Sequence, residues 1–157
     1  DLKKIIDAAR WSPSTVNEQP WLFFTTSSDS SRFQEFVGCL NEGNQVWAKH
    51  SAVIGFIIAR KFFKSKPREN SLADFDCGAA WMALTIQARL LGYYTHGMGG
   101  INRTDIGVRL GLDTEKQKVI MGFALGRRAR VSSLPAELQS KENPSPREDL
   151  ETIWKIL

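Results

Sequence analysis

Four short apolar runs without helical spacing alternate with amphipathic segments along the chain, and each run predicts a β-strand. Residues 52–59 are continuously apolar, which indicates a central strand covered on both faces. Residues 21–26 and 119–126 are rich in β-branched and aromatic side chains, as strands are. The fourth run, 93–96, leads into the glycine-rich segment 97–100, which predicts a loop whose backbone can approach another group closely.

Helical spacing of apolar residues separates these strands. Four helices are predicted in this way: over residues 1–10, from Ser31 with Gln34 completing a capping box, from Thr104 to Gly111, and from Ser145-Pro146-Arg147-Glu148 toward Leu157. Strands that alternate with helices, with irregular stretches between them, favour an α+β fold in which helices pack on a mixed or antiparallel sheet.

The longest predicted helix, from Asp74 to Leu91, is apolar on two sides. The first stripe consists of Phe75, Ala79, Met82, Ile86 and Leu90. The second stripe consists of Cys77, Trp81, Leu84, Ala88 and Leu91. A helix that is apolar nearly all round must be buried on all sides. In a chain of 157 residues, we expect part of that cover to come from a second subunit.

Composition restricts the class of protein. A length of 157 residues fits one domain, 1–157, and 42% hydrophobic and 24% charged residues are typical of globular proteins. No apolar run approaches the ~18 residues of a membrane span, and no apolar region follows the opening residues, so we expect neither a membrane protein nor a signal peptide. The chain has two cysteines and two histidines, too few for us to expect a disulfide scaffold or a metal site. The cysteines suit buried thiols in a reducing, cytoplasmic compartment.

Charge adds an alternative. The net charge of +4 fits an anionic cofactor or substrate, and it also leaves open a small basic nucleic-acid-binding domain. The basic clusters at 60–61 and 127–130 lack the aromatic interleaving of an RNA-binding sheet, so a solvated surface is their default interpretation. The chain has no nucleophile elbow, P-loop or dinucleotide fingerprint, and Asp74 and Asp76 suit a helix start.

One loop carries more hydrogen-bonding groups than a connection needs. Between the first helix and the first strand, Ser14, Thr15, Asn17 and Gln19 offer hydroxyl and amide groups within a few positions, bracketed by prolines and tryptophans. A capped turn would explain this composition as well as a binding loop would.

In this loop and in three later segments, the sequence resembles the FMN-dependent nitroreductase family. The matching segments are A-R-W-S-P-S-T-V-N-E-Q-P-W-L-F from Ala9, D-C-G-A-A from Asp76 with Leu84, Ala88 and Leu91-Gly92, G-M-G-G-I-N from Gly97, and A-L-G from Ala124. The resemblance implies an intertwined homodimer with FMN sites at the subunit interface. It also implies ping-pong transfer of hydride from NADH or NADPH, through the flavin N5, to a small electron-poor acceptor.

The resemblance further implies particular contacts with FMN. Pro13, Ser14, Thr15 and Asn17 would line the flavin from the neighbouring subunit, and Met98, Gly99 and Gly100 would place backbone N–H groups near N5 and O4. Asn44 would contact the edge of the ring, with Asn41 and Gln45 as alternatives, and Arg147 would bind the phosphate. Family members carry an R-R-S-x-R-like segment ahead of the first helix, and we expect this sequence to begin after it.

The resemblance names no catalytic side chain, since the flavin supplies the chemistry. A non-catalytic flavin-binding protein of the same fold remains the alternative to an enzyme. The sequence does not choose between NADH and NADPH, or among nitroaromatic, quinone, free flavin, enone and halogenated phenol acceptors.

Overall fold

The computed structural model describes residues 1–156 and contains helices on both faces of one sheet. The strands are β1 Trp21–Ser27, β2 Val53–Arg60, β3 Tyr94–Met98 and β4 Gln117–Gly126. The α-helices are α1 Leu2–Arg10, α2 Phe33–Val37, α3 Glu42–Ala48, α4 Ala73–Leu90, α5 Arg103–Leu110, α6 Ala136–Gln139 and α7 Leu150–Ile153.

The sheet has the strand order β1-β2-β4-β3, and its three pairings are antiparallel. A β-bulge interrupts the β2–β4 pairing, because Ile57 pairs with Met121 and Ile58 with Val119. β1 and β3 therefore form the two edges of this sheet. The α+β fold with an antiparallel sheet is confirmed.

β2 shows why a continuous apolar run predicts a central strand. Residues 53–59 are all buried. Val53 and Ile57 point into a core formed with α1 and α4, whereas Ile54 and Phe56 point into a second core formed with α2 and α5. Because successive side chains of a strand point to opposite faces, only an unbroken apolar run fills both cores.

α4 follows its predicted bounds closely, but within one chain it is buried on one side only. Cys77, Leu84 and Ala88 are buried in the core with α1. On the opposite stripe Phe75 and Leu90 are each 75% exposed, and Met82 and Ile86 are 55% and 50% exposed. One chain therefore leaves the second stripe uncovered, and its burial by a second subunit stays a prediction.

Glycine ends α4 as the sequence predicted. Gly92 has a φ of 80°, in the left-handed region that favours glycine. The N–H of Tyr93 donates to the Ala88 carbonyl at 2.9 Å, and the N–H of Gly92 donates to the Arg89 carbonyl at 3.0 Å. This pair of bonds is the Schellman motif, which satisfies the last carbonyls of the helix.

Two predicted helix starts are shifted. The capping box at Ser31 and Gln34 is wrong, because α2 begins at Phe33 after Arg32, without a side-chain cap. α5 begins one position before Thr104, and Asn102 caps it by accepting a hydrogen bond from the Asp105 N–H at 3.0 Å.

The predicted helix from Ser145 toward Leu157 is also wrong, although Leu157 lies outside the described residues. Only Leu150–Ile153 is helical there, after Asp149, and residues 141–156 are exposed. Residues that favour a helix start do not by themselves stabilise a short helix that has no buried face. In residues 1–156, no helix is both long and apolar enough to cross a membrane.

Candidate functional site

The loop between α1 and β1, residues 12–19, has an unusual backbone. Val16, Asn17 and Gln19 have φ values of 47°, 58° and 51°. Asparagine tolerates this left-handed region, but a β-branched residue such as valine rarely adopts it. Each such residue costs about 1–3 kcal/mol, and such strain persists only where neighbouring groups hold it.

Hydrogen bonds from within and outside the loop hold this conformation. The hydroxyl of Ser14 accepts from the Gln19 N–H at 2.9 Å. The N–H of Thr15 donates at 3.1 Å to a carboxylate oxygen of Asp76, which is 3% exposed and lies in the first turn of α4. The sequence marked Asp76 only as part of a motif and as a helix-start acid.

A second buried acid fixes the end of the loop. Glu18 is 7% exposed, and its carboxylate accepts from the Lys64 N–H at 2.8 Å. The Lys64 ammonium in turn donates to the Glu18 carbonyl at 2.6 Å, and Arg60 donates to the Gln19 carbonyl at 3.2 Å. Sequence reasoning missed the contact between Glu18 and Lys64, since the two residues lie 46 positions apart in the chain.

The glycine-rich segment is shorter than predicted, because Gly97 and Met98 belong to β3 and only Gly99 and Gly100 form the loop. Met98 is 2% exposed and lies in the core with α2 and α5. The Gly99 carbonyl accepts from the N–H of Ile101 at 3.0 Å and from Arg103 at 3.4 Å. Within residues 1–156, neither Gly99 nor Gly100 uses its own N–H in a hydrogen bond.

α3 holds this loop from one side. The Gly100 carbonyl accepts from the Asn41 N–H and from the Asn44 side-chain amide, each at 3.0 Å. The Asn41 carboxamide oxygen accepts from the Asn44 N–H at 3.0 Å and so caps α3. Gln45 instead donates to the Leu40 carbonyl at 2.7 Å, so its amide is directed elsewhere.

The two glycines differ in the space around them. A Cβ atom at Gly99 would meet no atom within 4 Å. A Cβ atom at Gly100 would lie 2.3 Å from the Asn41 side-chain nitrogen. The loop therefore presents an open side at Gly99 and a tightly packed side at Gly100, where a larger residue would have to displace Asn41.

A buried thiol and an ion-pair network lie behind this loop. The Cys39 thiol donates to Asp105 at 3.2 Å, and the Cys39 carbonyl accepts from the Asn102 N–H at 2.7 Å. Burial, and then the Asp105 carboxylate, raise the pKa of Cys39 to about 11. Hydrogen bonding to Arg109 lowers the pKa of Asp105, and Arg109 also pairs with Glu35 at 3.2 Å.

The predicted site residues fall into three groups that one chain does not bring together. Pro13, Ser14, Thr15 and Asn17 share the 12–19 loop, which precedes β1 at one edge of the sheet, whereas Asn44 contacts Gly100, which follows β3 at the other edge. Three strand spacings separate these edges, about 14 Å. Arg147 is exposed and donates only to the carbonyls of Ser145 and Pro146 among the residues described.

Comparisons with known proteins agree with this fold. No protein-family model matches the chain. The Bacillus subtilis (strain 168) protein named "Putative NAD(P)H nitroreductase YdgI" is 23% identical over 164 residues, covering 82% of this chain and 78% of the relative.

One solved structure is much more similar in sequence, and a second shares the fold. The crystal structure of an oxidoreductase containing FMN is 41% identical to this chain, with a TM-score of 0.94, and the match covers 98% of this chain and 79% of that one. The crystal structure of CLA-ER, an enone reductase of gut-bacterial fatty acid saturation, shares the fold at 21% identity, with a TM-score of 0.80 over 99% and 86% of the two chains.

These similarities first define a class, that of oxidoreductases built on this antiparallel α+β fold. Within that class, the chain belongs to the nitroreductase family. The resemblance drawn from the four sequence motifs is thus confirmed.

Proposed function

We propose that the protein is an FMN-dependent oxidoreductase that moves hydride from NADH or NADPH to a small electron-poor acceptor, such as a nitroaromatic or a quinone. The observation that carries this proposal is the pair of N–H groups at Gly99 and Gly100 that bond to no residue of 1–156, on a loop with one open side. The 41% identical oxidoreductase that contains FMN supports the choice of cofactor.

The residues present suit a flat anionic cofactor. The open side at Gly99 leaves room for a ring to approach the backbone. Ser12, at the start of the 12–19 loop, has a buried hydroxyl without a hydrogen-bond partner in the described part of the chain. A buried polar group without a partner is costly, so a ligand group or a water that pairs with Ser12 would stabilise this loop.

FMN, when bound, would accept hydride from NADH or NADPH and pass it to the acceptor in a ping-pong cycle. The role of the chain is to hold the ring and to stabilise the negative charge that develops on it. Arg103 binds the Gly99 carbonyl, which belongs to the same peptide as the Gly100 N–H, so the orientation of that donor is fixed before a ligand arrives. Asn41 and Asn44 bind the next carbonyl, that of Gly100. Donors fixed in advance stabilise developing charge without reorganisation.

We infer that the site is shared by two subunits of a homodimer. The 12–19 loop precedes β1 and Gly100 follows β3, and these edge strands lie about 14 Å apart, so Pro13, Ser14, Thr15 and Asn17 of the partner subunit would complete the site. The exposed stripe of α4 supports a partner, because monomers rarely leave large apolar patches uncovered. Binding of the FMN phosphate by Arg147 and a cytoplasmic location remain parts of this proposal.

Titration of the protein with FMN, followed by quenching of flavin fluorescence, tests the cofactor. We expect saturable quenching, weakened by about tenfold in Asn17→Gly, which removes an amide but keeps a residue suited to the φ of 58°. Val16→Gly is the matched control for added loop flexibility, and it should bind FMN nearly as the wild type does. Absence of quenching in the wild type would refute the proposal.

A further inference from the structure

Residues 61–69, between β2 and α4, form a short hairpin. Phe62 pairs with Glu69 in an antiparallel bridge, and the N–H of Phe63 donates to the Arg68 carbonyl at 3.0 Å. The guanidinium of Arg68 also lies 5.8 Å from the centre of the Phe63 ring. These contacts give the hairpin a defined conformation of its own.

The base of the 61–69 hairpin is bonded to the start of α4. The N–H of Lys61 donates to the Lys116 carbonyl at 2.8 Å, and the Lys61 carbonyl accepts from the Asn70 N–H at 2.7 Å. Asn70 is buried, its carbonyl accepts from the Ala73 N–H at 3.1 Å, and its side-chain oxygen accepts from the Leu72 N–H at 3.1 Å. The hairpin and the first turn of α4 are therefore joined through one buried, hydrogen-bonded residue.

The hairpin and the end of β2 bond to three consecutive carbonyls where the 12–19 loop ends. The Lys64 ammonium donates to the Glu18 carbonyl at 2.6 Å, and the Arg60 guanidinium donates to the Gln19 carbonyl at 3.2 Å. The Arg60 N–H donates to the Pro20 carbonyl at 2.9 Å. The contact between Glu18 and Lys64 is reciprocal, because the Glu18 carboxylate accepts from the Lys64 N–H at 2.8 Å. We call this pair of bonds the Glu18–Lys64 clamp.

The clamp fixes the loop next to its strained positions. Glu18 is buried, whereas the side chains of Val16 and Asn17, which precede it, are exposed. Because both of these residues have a positive φ, the conformation that turns Asn17 outward persists only if the chain on each side is held. α4 holds one side at Thr15, and the clamp holds the other side at Glu18.

We propose that Glu18 and Lys64 are positioning residues of the flavin site, which hold Asn17 in the conformation that contacts the flavin. The inference rests on the proposed function, in which Asn17 lines the flavin of the partner subunit. A group that is held before the ligand arrives binds without the entropy cost of ordering it. The 61–69 hairpin thereby becomes part of the structure on which flavin affinity depends, although neither positioning residue has to touch the ligand.

Titration of the full chain with FMN, followed by flavin fluorescence, tests the proposal. Glu18→Ala removes the carboxylate, and Lys64→Met removes the ammonium from an exposed residue but keeps an unbranched side chain. We expect each variant to bind FMN about 10-fold more weakly, because it loses one bond of the clamp. Glu18→Gln keeps an oxygen that can accept from the Lys64 N–H, so its affinity should stay within about 3-fold of the wild type.

Hydrogen exchange of the protein before FMN is added separates positioning from a general loss of stability. The amides of residues 14–19 should exchange faster in Glu18→Ala and in Lys64→Met, whereas those of β2 and α4 should exchange as in the wild type. Thr85→Val is the matched control, because it removes a side-chain hydrogen bond of 3.1 Å to Thr95 that involves neither the loop nor the hairpin. It should change FMN affinity by less than about 2-fold.

The outcomes separate this inference from the proposed function. If the wild type binds FMN and both Glu18→Ala and Lys64→Met bind it equally well, the inference is overturned and the proposed function stands. Faster exchange throughout β2 and α4 would also overturn the inference, since the two residues would then act on the whole fold. Equal losses in Glu18→Gln and Glu18→Ala would overturn it too, because the bond to the Lys64 N–H would not be what matters. If the wild type binds no FMN, both fail.

Discussion

Replacement of Gly100 by alanine tests how the Gly99–Gly100 loop is held. The φ of Gly100 lies outside the left-handed region, so alanine can adopt this backbone, and no positive φ explains the glycine. The obstacle is Asn41, whose side-chain nitrogen lies 2.3 Å from the position of the new Cβ. Asn41 must move, and its movement breaks the hydrogen bond that caps α3.

The expected magnitude follows from two opposing terms. Loss of an N-cap costs about 1 kcal/mol, and displacement of the loop adds to that cost. Replacement of glycine by alanine stabilises by about 0.4–1 kcal/mol, because it restricts the unfolded chain. Gly100→Ala should therefore destabilise the wild type by roughly 1 kcal/mol once the displaced loop is included. In an Asn41→Ala background, which has already lost both the cap and the obstacle, it should be neutral or slightly stabilising.

Denaturant unfolding of the wild type, both single variants and the double variant measures this coupling. We expect the cost of Gly100→Ala to disappear in the Asn41→Ala background, with a coupling free energy of about 1 kcal/mol or slightly more. Gly99→Ala is the matched control, because its Cβ would meet no atom within 4 Å. Equal costs of Gly100→Ala in both backgrounds would refute the account of how Asn41 packs on the loop.

Three further predictions follow from the packing and the charges. Asp76→Asn should weaken FMN binding about tenfold in a fluorescence titration, because the weakened hydrogen bond to the 12–19 loop loosens its strained conformation. Met82→Glu should shift the proposed homodimer toward monomer in sedimentation, because it places a charge on the exposed stripe of α4, whereas Val108→Glu on α5 should not. Between pH 9 and 10.5, the unfolding free energy of the wild type should fall about 1 kcal/mol per pH unit more steeply than that of Cys39→Ser.

The sign of the pH effect follows from the raised pKa. Below about pH 9, the Cys39 thiol is protonated in both the folded and the unfolded chain, so its contribution is fully present. Between 9 and about 11, only the unfolded chain loses the proton, so stability decreases as pH rises. Equal pH slopes of the unfolding free energy for wild type and Cys39→Ser would contradict the raised pKa of Cys39. Unchanged FMN binding in Asp76→Asn would contradict the role given to the Asp76 hydrogen bond. A Met82→Glu variant that stays dimeric would contradict the proposed interface on α4.

The parts of the fold that the sequence predicted are those in which one pattern persists over several turns or along a whole strand. β2 and α4 are examples, because every residue of 53–59 is buried and the spacing of α4 is unbroken over 18 residues. The pattern of α4 predicted that a second subunit covers part of the helix, but it did not show which stripe, so the exposure of Phe75 and Met82 in particular was not predictable.

Helix ends were predicted less well, because the bonds that define them depend on geometry that several nearby residues can supply. Asn102 caps α5 where Thr104 was expected, and Arg32 precedes α2 where Ser31 was expected. At 145–148, the pattern of a helix start was present, but no buried face follows it to stabilise a helix.

The candidate site was predicted in its exposed elements and missed in its supports. Hydroxyl and amide side chains marked the 12–19 loop, and adjacent glycines marked the second loop. The sequence could not show that Asp76 binds the 12–19 loop, because that contact spans 61 positions. It could not pair Glu18 with Lys64 either, because that contact spans 46 positions.

The measurement that most directly tests the central claim is anaerobic stopped-flow reduction of the FMN-loaded protein by NADH and by NADPH, followed by the visible absorption of the flavin. The account predicts rapid bleaching by at least one nucleotide, and recovery of the absorption when a quinone or a nitroaromatic is added after the nucleotide is exhausted. A tightly bound flavin that neither nucleotide reduces would contradict it, and the protein would then be a non-catalytic flavin carrier of the same fold.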